Sequence, residues 1–253
     1  MKIDLNADIG EGFSEDDDIL DSVTSASVSC GYHAGDAPLI YRTIRLAVEK
    51  GVSIGAHPSL RDRENFGRVA FDVTQEDLLA DLLYQIGAVQ SIASYLGCGI
   101  GHIKPHGALY HMAEHDPKVA ETICDSVIHS GADVTLYALS MGNLAAVAEQ
   151  RGIRVAHEVF ADRMMERDGS LTPRGELGAV LDDPHIVISR MVRLIKEGTL
   201  SARDGTDLRL KADTVCFHGD TPGSGDFARQ VKASLLAAGI QIIPCSIQSL
   251  HSR

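Results

Sequence analysis

The sequence contains no tryptophan, and aromatic residues of all kinds make up only 5% of the chain. A groove that binds sugars by aromatic stacking is therefore not favoured. Basic residues are also in deficit, since 23 Lys and Arg face 35 Asp and Glu, for a formal net charge of -12. This balance disfavours nucleic acid or an anionic membrane as a general partner, although a local basic site for an anionic substrate stays open.

Cysteine motifs and membrane-spanning runs are missing as well. The five cysteines are odd in number, widely spaced and form no C-x-x-C pair, so neither a disulfide framework nor a zinc knuckle is predicted. No apolar run approaches the roughly 20 residues of a membrane span, and the N-terminus lacks the apolar core of a signal peptide. We expect a cytoplasmic protein with no membrane partner.

Nucleotide-binding motifs and domain linkers are absent too. The chain has no G-x-x-x-x-G-K-[ST], and the Gly-x-Gly at 223–225 does not continue into a dinucleotide fingerprint. No repeat, low-complexity tract or linker marks a boundary, which predicts a single domain over residues 1–253.

Short apolar, β-branched runs recur along the whole chain and predict eight strands, at 2–6, 27–30, 52–56, 101–104, 134–139, 154–160, 214–217 and 240–244. Segments with helical spacing separate most of them, and Asp36, Thr74 and Asp116 followed by proline are start signals. This alternation predicts a parallel sheet with helical crossovers, as a closed (β/α) barrel in preference to an open doubly wound sheet. Residues 161–183 and 198–211 interrupt the pattern and are predicted to be irregular loops or lids.

Polar side chains collect at the carboxyl ends of the predicted strands, where the active sites of parallel barrels lie. On the first strand Asp4, Asn6 and Asp8 share one face at a spacing of two. Buried polar groups need partners, a metal or a substrate, and the alternative is an exposed edge strand.

The segment HIKPHGALYH, residues 102–111, spaces two histidines as in a helical zinc motif. Pro105 opposes a helix, and an extended chain puts His102, Lys104 and His106 on one face. Lys104 is then suited to bind an anionic group of a substrate, and His106 is suited to transfer a proton near neutral pH. The histidines at 111 and 115 are expected in a surface loop.

Three further residues predict a metal site at neighbouring strand ends. Asp8, His33 and His57 offer one carboxylate and two imidazoles, a common set of ligands for a divalent metal. For His33 alone, a hydrogen-bonded loop residue is the alternative. The segment EVFADR, residues 158–163, offers two carboxylates and an arginine, which suit either a site or a structural ion pair.

Several strings together resemble the lactam-utilisation family across residues 1–225: MKIDLNADIGEGF, CGYHAGD, GAHP, NFGR, YQIGA, HIKPHGALYH, EVFADR with DGSLTPRG, and HGD. The resemblance implies a distorted (β/α) barrel of seven or eight mostly parallel strands, similar to the glycoside hydrolase/deacetylase superfamily. It also implies ATP-dependent opening of 5-oxo-L-proline to L-glutamate, with ATP as co-substrate and the 5-oxoprolinase subunits B and C as partners. Departures from the family pattern near 59–71 put the detail of the substrate in doubt.

The resemblance implies a role for each candidate residue. The catalytic candidates are Asp8, Lys104, His106 and Glu158. The candidates for substrate binding are Asn6, His102, Asp162, Arg163 and His218. Lys104 and Arg163 would hold the substrate carboxylate or phosphate, and Asp8 or His106 would direct water to the lactam carbon. His33 and His57 would bind a divalent metal with Asp8 or polarise the lactam oxygen.

Two other functions fit the same residues. A metal-dependent deacetylase acting on an N-acetylated sugar or related amide would need neither ATP nor partners. A noncatalytic subunit would capture the lactam and present it to a partner enzyme.

Overall fold

Seven parallel strands close into a barrel in the computed structural model, which describes residues 1–181, 183–217 and 223–245. The strands among these residues, in order, are β1 (Lys2–Ile9), β2 (Ser25–Ser29), β3 (Ser53–His57), β4 (His102–Ile103), β5 (Thr135–Leu139), β6 (Val155–Phe160), β7 (Thr199–Ser201), β8 (Asp207–Arg209), β9 (Thr214–Phe217) and β10 (Gln241–Ile242). The barrel order is β1 to β6 and then β9, which pairs with both β6 and β1. The closed barrel is confirmed and the open sheet is wrong.

All eight predicted strands are present. The eighth, β10, pairs in parallel with the first residues of β1 and is not one of the seven that close the barrel. The missed pair, β7 and β8, is an antiparallel hairpin within 198–211, so the prediction of an irregular loop there was wrong. The hairpin was not predicted because its segment is polar and includes glycine. The chain turns at Gly205, which has a φ of 85°.

Eight helices lie among the described residues, α1 (Asp16–Leu20), α2 (Ala37–Glu49), α3 (Gln75–Tyr95), α4 (Gly107–His115), α5 (Pro117–His129), α6 (Asn143–Gln150), α7 (Pro184–Glu197) and α8 (Ser224–Ala237). The predicted start signals act as caps. The carboxylate of Asp36 accepts the N–H of Leu39 at 2.8 Å, and Thr74 accepts that of Asp77 at 3.1 Å. Helix α4 was missed because it begins two residues after Pro105. Its histidines at 111 and 115 are helical, so the loop prediction for them was wrong.

The polar face of β1 lies inside the barrel. Asp4 and Asn6 are fully buried and Asp8 is 7% exposed, while the alternate residues Ile3 and Leu5 belong to the apolar core. Because β1 pairs with strands on both sides, the alternative of an exposed edge strand is wrong.

Hydroxyl groups satisfy the deepest of these carboxylates. Asp4 accepts hydrogen bonds from Thr24 at 2.6 Å, Ser25 at 2.8 Å, Tyr137 at 2.9 Å and Thr214 at 2.7 Å. Burial raises the pKa of Asp4, and the four hydroxyl donors offset part of that rise. The network joins β1 to β5 and β9 across the inside of the barrel.

None of the helices in the described ranges is both long and apolar enough to cross a membrane.

Candidate active site

A cavity of about 290 Å³ opens at the carboxyl ends of the barrel strands. Its lining combines carboxylates, imidazoles and basic side chains, including Asp8, Glu11, His57, Arg68, Lys104, His106, His111, Arg163 and Arg174. Apolar contacts come from Tyr110, Phe160, Leu171 and Pro173. Its volume suits a small metabolite.

Lys104 lies at the floor of this cavity with only 2% of its surface exposed. Its Nζ is 2.8 Å from Oε1 of Glu158 and 2.9 Å from Oδ1 of Asp8. It also donates to Oδ1 of Asn6 at 3.1 Å, and lies 3.1 Å from Sγ of Cys216. Burial alone would lower the pKa of Lys104, but the neighbouring Asp8, Cys216 and Glu158 outweigh it and hold the pKa well above its usual value.

The Lys104 ammonium is therefore a fixed positive charge that orients two carboxylates. Its N–H groups are already directed at side chains of the chain itself, which leaves little capacity for a substrate anion. The second carboxylate, Glu158, is anchored from the other side by Tyr110, whose hydroxyl donates to Oε2 at 2.9 Å. Asn6 completes the link by donating to Oε1 of Glu158 at 3.1 Å and to Thr214 at 2.7 Å.

Three histidines and one glutamate converge beside Asp8 at the cavity wall. Each of Glu11, His33, His57 and His106 offers one ligand atom, and these four atoms lie within 4.8 Å of one another. The rings of His33 and His106 are stacked at 3.8 Å, and Nδ1 of His106 is 2.9 Å from Nε2 of His57. Oε1 of Glu11 is 3.0 Å from Nε2 of His33, and Oδ2 of Asp8 is 3.4 Å from Nε2 of His57.

Burial and mutual repulsion keep two of these imidazoles neutral. Burial lowers the pKa of His33 well below its usual value, and the nearby His57 lowers it further. Burial also lowers the pKa of His106, helped by His33 and His57. Neutral imidazoles carry a lone pair that can accept a proton or bind a metal.

A glycine in the NFGR motif makes room for the stacked histidines. Gly67 has a φ of 67°, and a Cβ there would lie 2.8 Å from Cδ2 of His106 and from Cβ of His33. Both the backbone conformation and the contact exclude a side chain. The preceding Phe66 supplies the carbonyl that lies 2.9 Å from Nε2 of His106.

Arginines also line the cavity. Arg163 is only 3% exposed, and its Nη2 donates to the carbonyl of Thr172 at 2.6 Å. Its buried Nε has no hydrogen-bond partner among the described residues. Burial, with a contribution from Arg174, lowers the pKa of Arg163 to about 10, so the guanidinium stays charged near neutral pH. A ligand anion would supply the acceptor that this buried donor lacks.

His102 and Asp162 are not among the residues that line the cavity. His102 is fully buried inside the barrel, where it is 3.1 Å from the Ser27 hydroxyl and stacks on Tyr137 at 4.1 Å. Burial, with the nearby Lys104 charge, lowers the pKa of His102 to about 3. Asp162 is partly buried, and its carbonyl accepts the N–H of Leu181 at 2.7 Å. His218 lies outside the described residues.

Sequence reasoning did not assign a role to Glu11, Arg68, Tyr110 or Arg174. Glu11 follows the first strand and Arg68 ends the NFGR string, so the positions of both residues in the sequence could have identified them as site candidates. Arg174 lies in the irregular segment 161–183, whose path over the barrel mouth no local pattern determines. Tyr110 was not assigned a role because it lies on helix α4, which was not predicted.

The fold and the cavity define a (β/α)-barrel protein with a polar, metabolite-sized site at the carboxyl ends of its strands. Residues 3–249 match the LamB/YcsF family, and the chain therefore belongs to that family.

Two relatives and one further protein of the same fold are similar to this chain. The chain is 43% identical over 246 residues to a protein of Oceanobacillus iheyensis that is named as the A subunit of 5-oxoprolinase, covering 95% of this chain and 96% of the relative. The crystal structure of a lactam utilization protein from Thermus thermophilus matches with a TM-score of 0.90 and 37% identity, over 96% of this chain and 99% of that one. A family 4 carbohydrate esterase from Streptomyces lividans shares the fold, with a TM-score of 0.50 and 10% identity, over 95% of this chain and 91% of that one.

Proposed function

We propose that the protein is the A subunit of an ATP-dependent 5-oxoprolinase, which opens 5-oxo-L-proline hydrolytically to L-glutamate. The name of the Oceanobacillus relative, at 43% identity over nearly the whole chain, supports this reaction. The same proposal includes subunits B and C as partners, ATP as the co-substrate of the complex and the cytoplasm as the location.

The observation that carries the proposal is the polarity of the cavity. Arg163, with its unpartnered buried Nε, lines the same cavity as Asp8 and His106. A small molecule with a carboxylate at one end and an amide at the other suits such a cavity, and 5-oxoproline has this form. In this arrangement Arg163, with Arg174 nearby, takes the substrate carboxylate or a phosphate.

The requirement for ATP follows from the chemistry of a five-membered lactam. Opening the ring leaves an amine tethered beside the new carboxylate, and such intramolecular groups have a very high effective molarity for reclosure. Transfer of a phosphoryl group from ATP to the lactam oxygen would activate the ring carbon. Water then adds to that carbon and the C–N bond breaks with protonation of the nitrogen, which leaves an acyl phosphate. A second water would hydrolyse the acyl phosphate to the new carboxylate and inorganic phosphate.

The residues around Lys104 would prepare the water. Lys104 holds Oδ1 of Asp8 at 2.9 Å, which leaves Oδ2 directed towards His57 at 3.4 Å. Asp8 or His106 would accept the proton of the attacking water as the general base. Glu158 also pairs with the Lys104 ammonium and helps to fix the position of the Lys104 side chain.

The first experiment is an assay of 5-oxoproline-dependent ATP hydrolysis and glutamate formation, with this protein alone and with candidate B and C subunits. We expect turnover only in the mixture. Release of acetate from an N-acetylated amidosugar without ATP would contradict the proposal and favour the deacetylase.

A His106→Ala variant of the reconstituted mixture tests the site assignment. We expect a loss of turnover of at least about 100-fold, the lower end of what general acid–base catalysis contributes. The matched control is His129→Ala, which replaces an exposed histidine on α5. Full turnover with His106→Ala and with Asp8→Asn would instead favour a noncatalytic, lactam-binding subunit.

A further inference from the structure

We infer that Glu11, His33, His57 and His106 form a binding site for one divalent transition-metal ion of the Zn²⁺ type. The set differs from the one expected from sequence, because Glu11 and His106 join the two histidines and Asp8 stands beside them. The inference concerns cation binding and does not depend on the reaction proposed above.

Hydrogen bonds to backbone carbonyls determine the tautomers of two of the histidines. Nδ1 of His57 is 2.7 Å from the carbonyl oxygen of Lys104, and Nε2 of His106 is 2.9 Å from that of Phe66. A carbonyl oxygen only accepts, so both of these ring nitrogens carry a hydrogen. In a neutral imidazole the other ring nitrogen is then a bare lone pair.

Those two lone pairs face each other. Nε2 of His57 and Nδ1 of His106 are 2.9 Å apart, and neither has a hydrogen to donate while both rings are neutral. Both rings are at least 94% buried, with exposures of 1% and 6%, so water does not separate them easily. A metal ion bound by both nitrogens would replace the repulsion between two such lone pairs with attraction.

The surroundings fit a metal ion in that role. Metal-binding histidines usually donate their second ring N–H to a carbonyl or carboxylate, as both of these do. Oε1 of Glu11 is 3.6 Å from Nδ1 of His106 and 3.0 Å from Nε2 of His33, so it adds a negative charge to the same cluster. Imidazole nitrogens with one carboxylate favour Zn²⁺ and similar ions over Mg²⁺ and Ca²⁺, which prefer oxygen.

Asp8 has a different task in this arrangement. Its Oδ1 is held by Lys104 at 2.9 Å, and it is not part of the cluster whose ligand atoms converge. With the lone pair of His106 committed to the cation, Asp8 is the group left to accept a proton from water. The cation site and Arg163 then both face the same polar cavity.

Calorimetric titration of untagged, chelator-treated protein with ZnCl₂ tests the inference, with MgCl₂ as the comparison and no substrate present. We expect one Zn²⁺ per chain, weaker or no Mg²⁺ binding, and a thermal midpoint that rises with Zn²⁺ concentration. Glu11→Gln and His57→Gln should each weaken Zn²⁺ binding at least tenfold, whereas His129→Gln, on the exposed face of α5, should bind like the wild type.

Circular dichroism of each variant without metal shows whether it has kept the fold, so a loss of binding is not mistaken for unfolding. The inference is overturned if folded wild-type protein binds no Zn²⁺. It is equally overturned if folded Glu11→Gln and His57→Gln bind Zn²⁺ as tightly as the wild type does. Because these measurements need neither ATP nor partner subunits, their failure is distinct from failure of the proposed reaction.

Discussion

The residue with the largest electrostatic effect is Lys104. A lysine that is 98% buried is stable only because two carboxylates compensate its charge, and each carboxylate in turn depends on the lysine. Asp8 and Glu158 come from β1 and β6, so one ammonium group aligns two strands at the floor of the cavity.

Replacing Lys104 by methionine should lower the free energy of unfolding by about 3–5 kcal/mol, the usual cost of leaving a buried charge without its partner. Urea denaturation at pH 7 measures this difference. The control is Lys118→Met, because that lysine is exposed on α5. A loss for Lys104→Met no larger than that of the control would mean that Asp8 and Glu158 do not need the ammonium.

At the scale of elements, the start of α6 depends on a carboxylate from α4. Oε2 of Glu114 accepts the N–H of Asn143 at 2.6 Å, while its Oε1 is buried without a hydrogen-bond partner among the described residues. Burial raises the pKa of Glu114 from 4.5 to about 7, against the lowering effect of the Asn143 and Leu144 amides. The folded protein therefore binds this proton more tightly than the unfolded chain does.

The contribution of Glu114 to stability should consequently fall as pH rises from about 4.5 to about 7. Glutamine keeps an acceptor for Asn143 but does not titrate. We expect the free energy of unfolding of Glu114→Gln, relative to that of the wild type, to increase by about 1 kcal/mol between pH 5 and pH 8. This figure is smaller than the pKa shift alone would give, because the side chain is only partly buried and solvent screens its charge. Urea unfolding at the two pH values measures this, with exposed Glu121→Gln as the control. An equal difference at both pH values would contradict the assignment.

At the scale of the whole molecule, the closed barrel joins distant parts of the chain through polar contacts as well as through its apolar core. Asp4 accepts hydrogen bonds from Tyr137 and Thr214, which are 133 and 210 positions away from it in the sequence. These bonds link strands that are not sequence neighbours, so their loss should affect the barrel as a unit.

Asp4→Ala should therefore lower the free energy of unfolding by at least about 3 kcal/mol, because four hydroxyl groups, three of them on buried residues, lose their acceptor. Far-UV circular dichroism and the near-UV signal of the tyrosines should move together, as one cooperative transition requires. Asp72→Ala, an exposed aspartate, is the matched control. An early near-UV transition alone would show instead that this end of the barrel opens independently.

Local patterns in the sequence were sufficient for much of this architecture. Period-two polarity on β1 predicted that Asp4, Asn6 and Asp8 share a face, and capping residues marked the starts of α2, α3 and α5. Pro105 excluded a helical zinc motif at His102 and His106, and the structure shows that segment as extended up to α4. These features depend on neighbours within a few positions, and such neighbours can be read from the chain directly.

Only the tertiary structure decided which polar groups meet. Asn6 contacts Glu158 from 152 positions away, and Lys104 reaches Asp8 from 96. Barrel closure thus joined Lys104 to the carboxylates and brought Asp8 and the histidines together with Glu11. Strand periodicity specifies the face on which a side chain lies, but its distance to other side chains on that face depends on strand order, register and loop path.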